Sequence, residues 1–137
     1  MKPIHLLLVA LGALTLIPVN ARSNFVPQML RQYKLEKDNT ATKANCQYCH
    51  VQSYGGSSWN AFGLGVRETY LKNKRNIGLA LLEQLKKNLD SDNDGYTDML
   101  EAVAKTLPGD PKSKPSKSTI QLESELKRLG GVNRFKP

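Results

Sequence analysis

Cys46-Gln47-Tyr48-Cys49-His50 constrains this chain more than any other stretch. These are the only two cysteines in 137 residues, and a histidine directly follows the second. Two sulfurs and an imidazole so close in sequence demand a tight turn that delivers all three to one place. The rest of the fold must then enclose whatever they hold.

The N-terminus sets the chemical environment of those thiols. Lys2 precedes an almost wholly apolar run from Ile4 to Ile17, which Pro18 breaks. Val19-Asn20-Ala21 then offers a peptidase site after Ala21. Residues 1–21 therefore read as a signal peptide, and the product as periplasmic or secreted. The run is shorter than the roughly 20 residues that cross a bilayer. No cysteine follows it directly to carry a lipid, so lipoprotein processing is disfavoured, and no transmembrane segment is expected after cleavage of the leader. In an exported chain a cysteine pair ordinarily suggests a disulfide, an expectation to be weighed against the spacing.

Residues 22–137 read as helices joined by polar loops. Val26, Met29, Leu30 and Tyr33 follow one helical face within 24–37, with Pro27 tolerated in the first turn. The stretch 46–70 carries Tyr48, Tyr54, Trp59, Phe62 and Tyr70 among several glycines. Its first part reads as loop, with a short helix from Val66 to Leu71. Asn76 to Leu89 is the clearest helix, striped by Ile77, Ala80, Leu81, Leu85 and Leu89. Another runs from Asp98 to Thr106, stopped by Pro108 and Gly109. Residues 110–118 are rich in Pro, Lys and Ser and read as a linker. Ser118 and Gln121 form a capping box for a last helix carrying Ile120, Leu122, Leu126 and Leu129, ended by Gly130-Gly131. No strand-like alternation occurs, so the fold class is all-α. The expected organisation is a domain over 22–109 followed by a linker and helical tail over 110–137.

Within that frame C-x-x-C-H is the attachment signature of c-type haem. Two intervening residues put both sulfurs on one side of a helical turn, where thioether bonds reach two vinyl groups on one porphyrin edge. His50 then supplies the proximal nitrogen as neutral imidazole. Three other readings compete. A C-x-x-C redox dithiol ordinarily sits in a βαβ context, which this chain lacks. Structural zinc takes four protein ligands, and this segment offers three. A plain disulfide leaves His50 unexplained. Tyr48, Tyr54, Trp59 and Phe62 are candidates to pack on the porphyrin, excluding water and tuning its potential.

The stretch from Cys46 to Gly63 resembles small exported monohaem c-type cytochromes in which the haem motif is soon followed by Asn-x-Phe-Gly, here Asn60-Ala61-Phe62-Gly63. The resemblance implies a small cytochrome c-like helical domain with one covalent haem. The sixth iron ligand stays open. His5 leaves with the leader, so His50 is the only histidine of the product and bis-histidine ligation within one chain is excluded. Methionine is the usual alternative. Met29 precedes the motif. Met99 follows it, the order in cytochromes that resemble the class I type, and is the preferred candidate. A water-bound or open position is the third option.

A second motif lies downstream. Asp90-Ser91-Asp92-Asn93-Asp94-Gly95-Tyr96-Thr97-Asp98-Met99-Leu100-Glu101 matches the twelve-residue EF-hand pattern. Asp90, Asp92 and Asp94 offer side-chain oxygens to Ca2+ at positions 1, 3 and 5. Gly95 makes the turn, Tyr96 offers its carbonyl, Asp98 contributes at position 9 and Glu101 closes the site at position 12. An acidic, solvated turn accounts for the Asp and Gly residues but not for Glu101 at that distance. EF-hands commonly pair, and this chain has one loop. The following Leu107-Pro108-Gly109-Asp110-Pro111 resembles the ends of single calcium loops in secreted bacterial proteins, where calcium is structural.

The formal charge is +8, or +7 once Lys2 leaves. Five carboxylates sit in the loop, so the rest of the product carries +12. Such a surface steers encounters with an acidic redox partner or an anionic membrane, although lysines on helix faces also serve plain solubility. Nucleic acid is not an expected partner of an exported haem protein. The leading expectation is electron transfer by one covalent haem. A haem enzyme ordinarily uses a distal acid–base histidine, which is lacking, so no enzymatic activity is expected. A ligand- or calcium-responsive haem sensor, or a haem subunit of a larger envelope assembly, remains as an alternative.

Overall fold

The computed structural model describes residues 25–35 and 45–137. The signal-peptide reading of residues 1–21 lies outside the described residues. Those described form an all-α fold of five α-helices and two short 3-10 turns. The helices are α1 (Phe25–Gln32), α2 (Ala61–Lys72), α3 (Ile77–Lys86), α4 (Asp98–Ala104) and α5 (Thr119–Arg128). The 3-10 turns are Asn45–Tyr48 and Gly131–Phe135. Among the described residues no helix is long and apolar enough to cross a membrane.

Local chemistry explains most helix ends. The Asn60 side chain accepts from the Gly63 N–H, and that of Asn76 from the Leu79 N–H, capping α2 and α3. Lys105 ends α4 in the left-handed region at φ 63°. Ser118 and Gln121 form the reciprocal capping box at the start of α5. The stretch 61–72 is helical from Ala61, five residues before the sequence-based start at Val66. The reason is Asn60: its cap forms the first turn despite Gly63 and Gly65, which lower intrinsic propensity.

Helices α2 and α3 form an antiparallel pair, with α1 and the C-terminal 3-10 turn against α3 and α5 against α4. One apolar cluster joins them, holding Met29, Tyr33, Tyr48, Phe62, Leu81, Leu85, Met99 and Phe135. Gly65 lets α2 approach α3 closely: a methyl group there would collide with the Gln84 amide.

The C-terminal region is part of this body. Phe135 is fully buried and meets the Tyr33 ring edge-on, centroids 5.6 Å apart. Leu122 is also fully buried, whereas Ile120, read as part of the same apolar face, is 77% exposed. The Pro-, Lys- and Ser-rich segment is tied down as well. Ser113 Oγ accepts from the Leu107 N–H at 3.0 Å, and Lys114 Nζ donates to the Asp94 carbonyl at 2.8 Å. Periodicity alone places none of these bonds, because each joins residues at least six apart in sequence.

Candidate functional sites

The Cys-x-x-Cys-His segment is a tight turn. The Cys46 carbonyl accepts from the N–H groups of both Cys49 and His50, at 3.2 and 2.9 Å. Asn60 holds this turn from outside. Its Nδ2 donates to the Gln47 carbonyl at 2.8 Å and to the Tyr48 carbonyl at 3.2 Å, while Oδ1 caps α2. The Asn60 N–H donates to the Cys49 carbonyl at 3.1 Å. Gly63 lies directly against that carbonyl, where a methyl group has no room. Phe62 is fully buried in the core. Each fixed residue of Asn-x-Phe-Gly therefore has a mechanical role: Asn60 clamps, Phe62 anchors and Gly63 clears space. Gly63→Ala is expected to cost about 1–3 kcal/mol through overpacking. Thermal unfolding measures it, and a loss below 0.5 kcal/mol would contradict this account of the clamp.

The turn faces a cavity of about 390 Å³. Cys46, Cys49 and His50 line it together, along with Tyr54, Trp59, Gly55 and Gly56. Helix α1 contributes Phe25, Val26 and Met29, α2 contributes Val66, Arg67, Tyr70 and Leu71, and α3 contributes Ile77 and Leu81. The lining is mainly apolar, and among the described residues Arg67 is its one permanently charged side chain. The His50 ring lies on Trp59 with centroids 4.1 Å apart and planes tilted by 34°. Val51 and Ser58 join through a backbone hydrogen bond of 3.0 Å, so the glycine-containing loop between them folds back along the cavity. Gly55 takes φ +83°, and a methyl group added there would meet His50 Cδ2 and Cys46 Sγ at ordinary contact distance.

Of the four aromatics expected to pack on a bound group, Tyr54 and Trp59 line the cavity. Tyr48 and Phe62 do not; they face the core, where the Tyr48 ring meets Tyr33 at 5.9 Å. The methionines divide in the same way. Met29, on α1, is on the cavity lining. Met99, the residue preferred from chain order, sits on α4 and packs in the core away from the lining. Chain order cannot separate the two, because orientation depends on which face each helix turns inward.

Burial pushes the Cys49 thiol up to about 12, with Cys46 beside it adding to the effect. A thiol so raised is protonated at neutral pH, which disfavours attack as a redox nucleophile. Conversion to an uncharged thioether incurs no such burial penalty.

The acidic loop forms a second site. Asp90, Asp92 and Asp94 bring carboxylate oxygens within 4.8 Å of one another. Asx-type bonds shape it: Asp90 accepts from the N–H groups of Asp94 and Gly95, and Asp94 from that of Tyr96. Gly95 takes φ +97°, which favours glycine. The Asp98 N–H donates to the Leu89 carbonyl at 2.7 Å, closing the loop. Asp98 itself is fully buried, and its carboxylate accepts from the Ser91 N–H and Oγ and from Gln84 Nε2.

Glu101 faces the cluster from the first turn of α4. It is fully buried, and Thr106 Oγ1 donates to its Oε1 at 3.2 Å. Its Oε2, with Asp92 Oδ2 and Asp94 Oδ2, is a buried oxygen lacking any hydrogen-bond partner. Among the described residues, no lysine or arginine forms an ion pair with the loop carboxylates. Burial, then Asp92 and Asp94, push Glu101 up to about 9, and burial with Asp94 raises Asp92 to about 6. Buried carboxylate oxygens without hydrogen-bond partners are compensated either by a proton or by a bound cation.

The two sites touch through packing. Gly109, at the end of the calcium-type segment, lies against the Asn60 side chain, and Gln84 bridges Asp98 to the Gly65 surface of α2. Comparison of the chain with protein-family models, curated proteins and solved structures finds no match.

Proposed function

We infer that this chain is an exported monohaem c-type cytochrome that transfers electrons and carries a structural calcium ion. The observation carrying the reading is that Cys46, Cys49 and His50 line one apolar cavity together. The donor set fits the group. Two thiols can become thioethers, an imidazole can bind iron, and the apolar walls suit a porphyrin face. Haem supplies one-electron redox chemistry when bound.

The protein's own residues do the rest. Asn60 and Gly63 hold the attachment turn against α2. Trp59 stacks beside His50 and restrains its ring. Val66, Ile77 and Leu81 exclude water, which tunes the potential through burial. Arg67, exposed on the rim, suits a carboxylate of the porphyrin edge. The remaining +12 outside the acidic loop favours an acidic redox partner, with association weakening as salt rises. The acidic loop suits Ca2+ through Asp90, Asp92, Asp94 and Glu101, with the Tyr96 carbonyl as a further oxygen.

The test is expression with its leader in a host equipped for haem attachment. The product should be red, and its mass should exceed that of the cleaved polypeptide by one porphyrin. A colourless product with two free thiols under those conditions overturns the reading.

A further inference from the structure

We propose that Met29, not Met99, is the sixth ligand of the iron, reaching it from the helix that precedes the attachment motif; the assignment rests on the haem reading above. The chain has three methionines, and Met1 belongs to the expected leader. That leaves two thioether donors. Met29 lines the cavity that also holds Cys46, Cys49 and His50. Met99 belongs, like Met29, to the buried apolar cluster, but it is not on that lining. An iron ligand must come from the walls of the space that holds the proximal imidazole, and of these two methionines Met29 is the one on those walls.

The position is also held firmly, as ligation requires. Gln32, one turn after Met29, donates through Nε2 to the Gly78 carbonyl at 2.9 Å and the Phe135 carbonyl at 2.8 Å. Tyr33 donates to the Leu81 carbonyl at 3.2 Å. Both side chains are buried, so α1 is locked to α3 and the C-terminal turn by bonds that lie away from water. Met29 itself is 4% exposed. A thioether shielded this way resists displacement by water and raises the potential relative to nitrogen ligation.

The obvious alternative is that Met29 only fills space, as flexible methionines commonly do. The experiment separates these roles by shape and donor chemistry. Met29→Leu keeps the volume and removes the sulfur. Met29→His restores a strong donor at the same place. Met99→Leu is the control. Each holoprotein is checked for bound porphyrin by mass and for folding by far-UV circular dichroism.

The expected results are a low-spin wild type indifferent to carbon monoxide and a Met29→Leu variant that turns high-spin and binds it. Met29→His should return to low spin with a lower potential than wild type, and Met99→Leu should match wild type. A low-spin Met29→Leu variant overturns the assignment while leaving the haem reading intact. So does a wild type that is already high-spin, or a Met99→Leu variant that loses the low-spin spectrum. A wild type lacking covalent porphyrin removes both.

Discussion

Chelating calcium from the folded protein is expected to lower its thermal midpoint by on the order of 10–20 °C. A cation that binds only the folded state at about a thousand times its Kd contributes roughly 4 kcal/mol. A domain of this size shifts by several degrees for each kcal/mol. The structural cause is the group of buried carboxyl oxygens on Asp92, Asp94 and Glu101 that have no hydrogen-bond partner, and whose charged forms burial and one another's charge disfavour. Differential scanning calorimetry with and without a chelator measures the effect, and a shift under 2 °C would speak against a calcium site.

The pH dependence sharpens this prediction. Without calcium, Glu101 in the folded chain holds its proton until about pH 9, against an ordinary value of 4.5. Below pH 4.5 both folded and unfolded states are protonated there, so the group costs nothing. Between pH 4.5 and 9 the folded state binds the extra proton, so stability falls as pH rises, by up to about 1.4 kcal/mol per unit. Asp92, raised to about 6, adds to the fall at the acidic end of that window. Saturating calcium should flatten the profile and release protons on binding. Glu101→Gln should likewise flatten the chelated protein's profile while weakening calcium binding. Because Met99 lies outside the cavity, chelation should leave the haem spectrum unchanged until the protein unfolds.

The second large effect concerns the attachment turn. Cys46→Ser and Cys49→Ser should each remove one thioether, and the double variant should hold no covalent porphyrin. His50→Ala should leave both sulfurs but lose the proximal nitrogen, giving a high-spin, unstable product. Stability should collapse alongside, since the cavity walls of Val66, Ile77 and Leu81 would meet water. Unoccupied apolar volume costs about 24 cal/mol per Å³ in cores that cannot relax. For about 390 Å³ that is at most roughly 9 kcal/mol, comparable to the whole stability of a small domain, so partial collapse or unfolding is expected. Extraction of the pigment into acidified organic solvent reports the covalent link. Retention of pigment by the double cysteine variant after extraction would refute the attachment scheme.

Much of this protein was legible in its sequence. The all-α class, the helix around Ile77 and Leu81, the capping box at Ser118 and the two local motifs depend on residues within a few positions of one another. Local geometry is dictated by nearby spacing, because a helical turn or an Asx bond spans only three to five residues. The early start of α2 was hidden because glycines at 63 and 65 weaken the helical signal, while the Asn60 cap outweighs them.

What the tertiary structure alone decided is long-range. It turned Tyr48 and Phe62 to the core, and Trp59 and Tyr54 to the cavity. It brought Phe135 against Tyr33, making the tail part of the core. It gave Gly63 its reason, since the Cys49 carbonyl it accommodates lies fourteen residues earlier. It also placed Met29, and not Met99, on the cavity lining. A sequence states which atoms are available near one another along the chain. Which buried face each helix turns toward a distant partner is settled only when all the helices compete for the same enclosed volume.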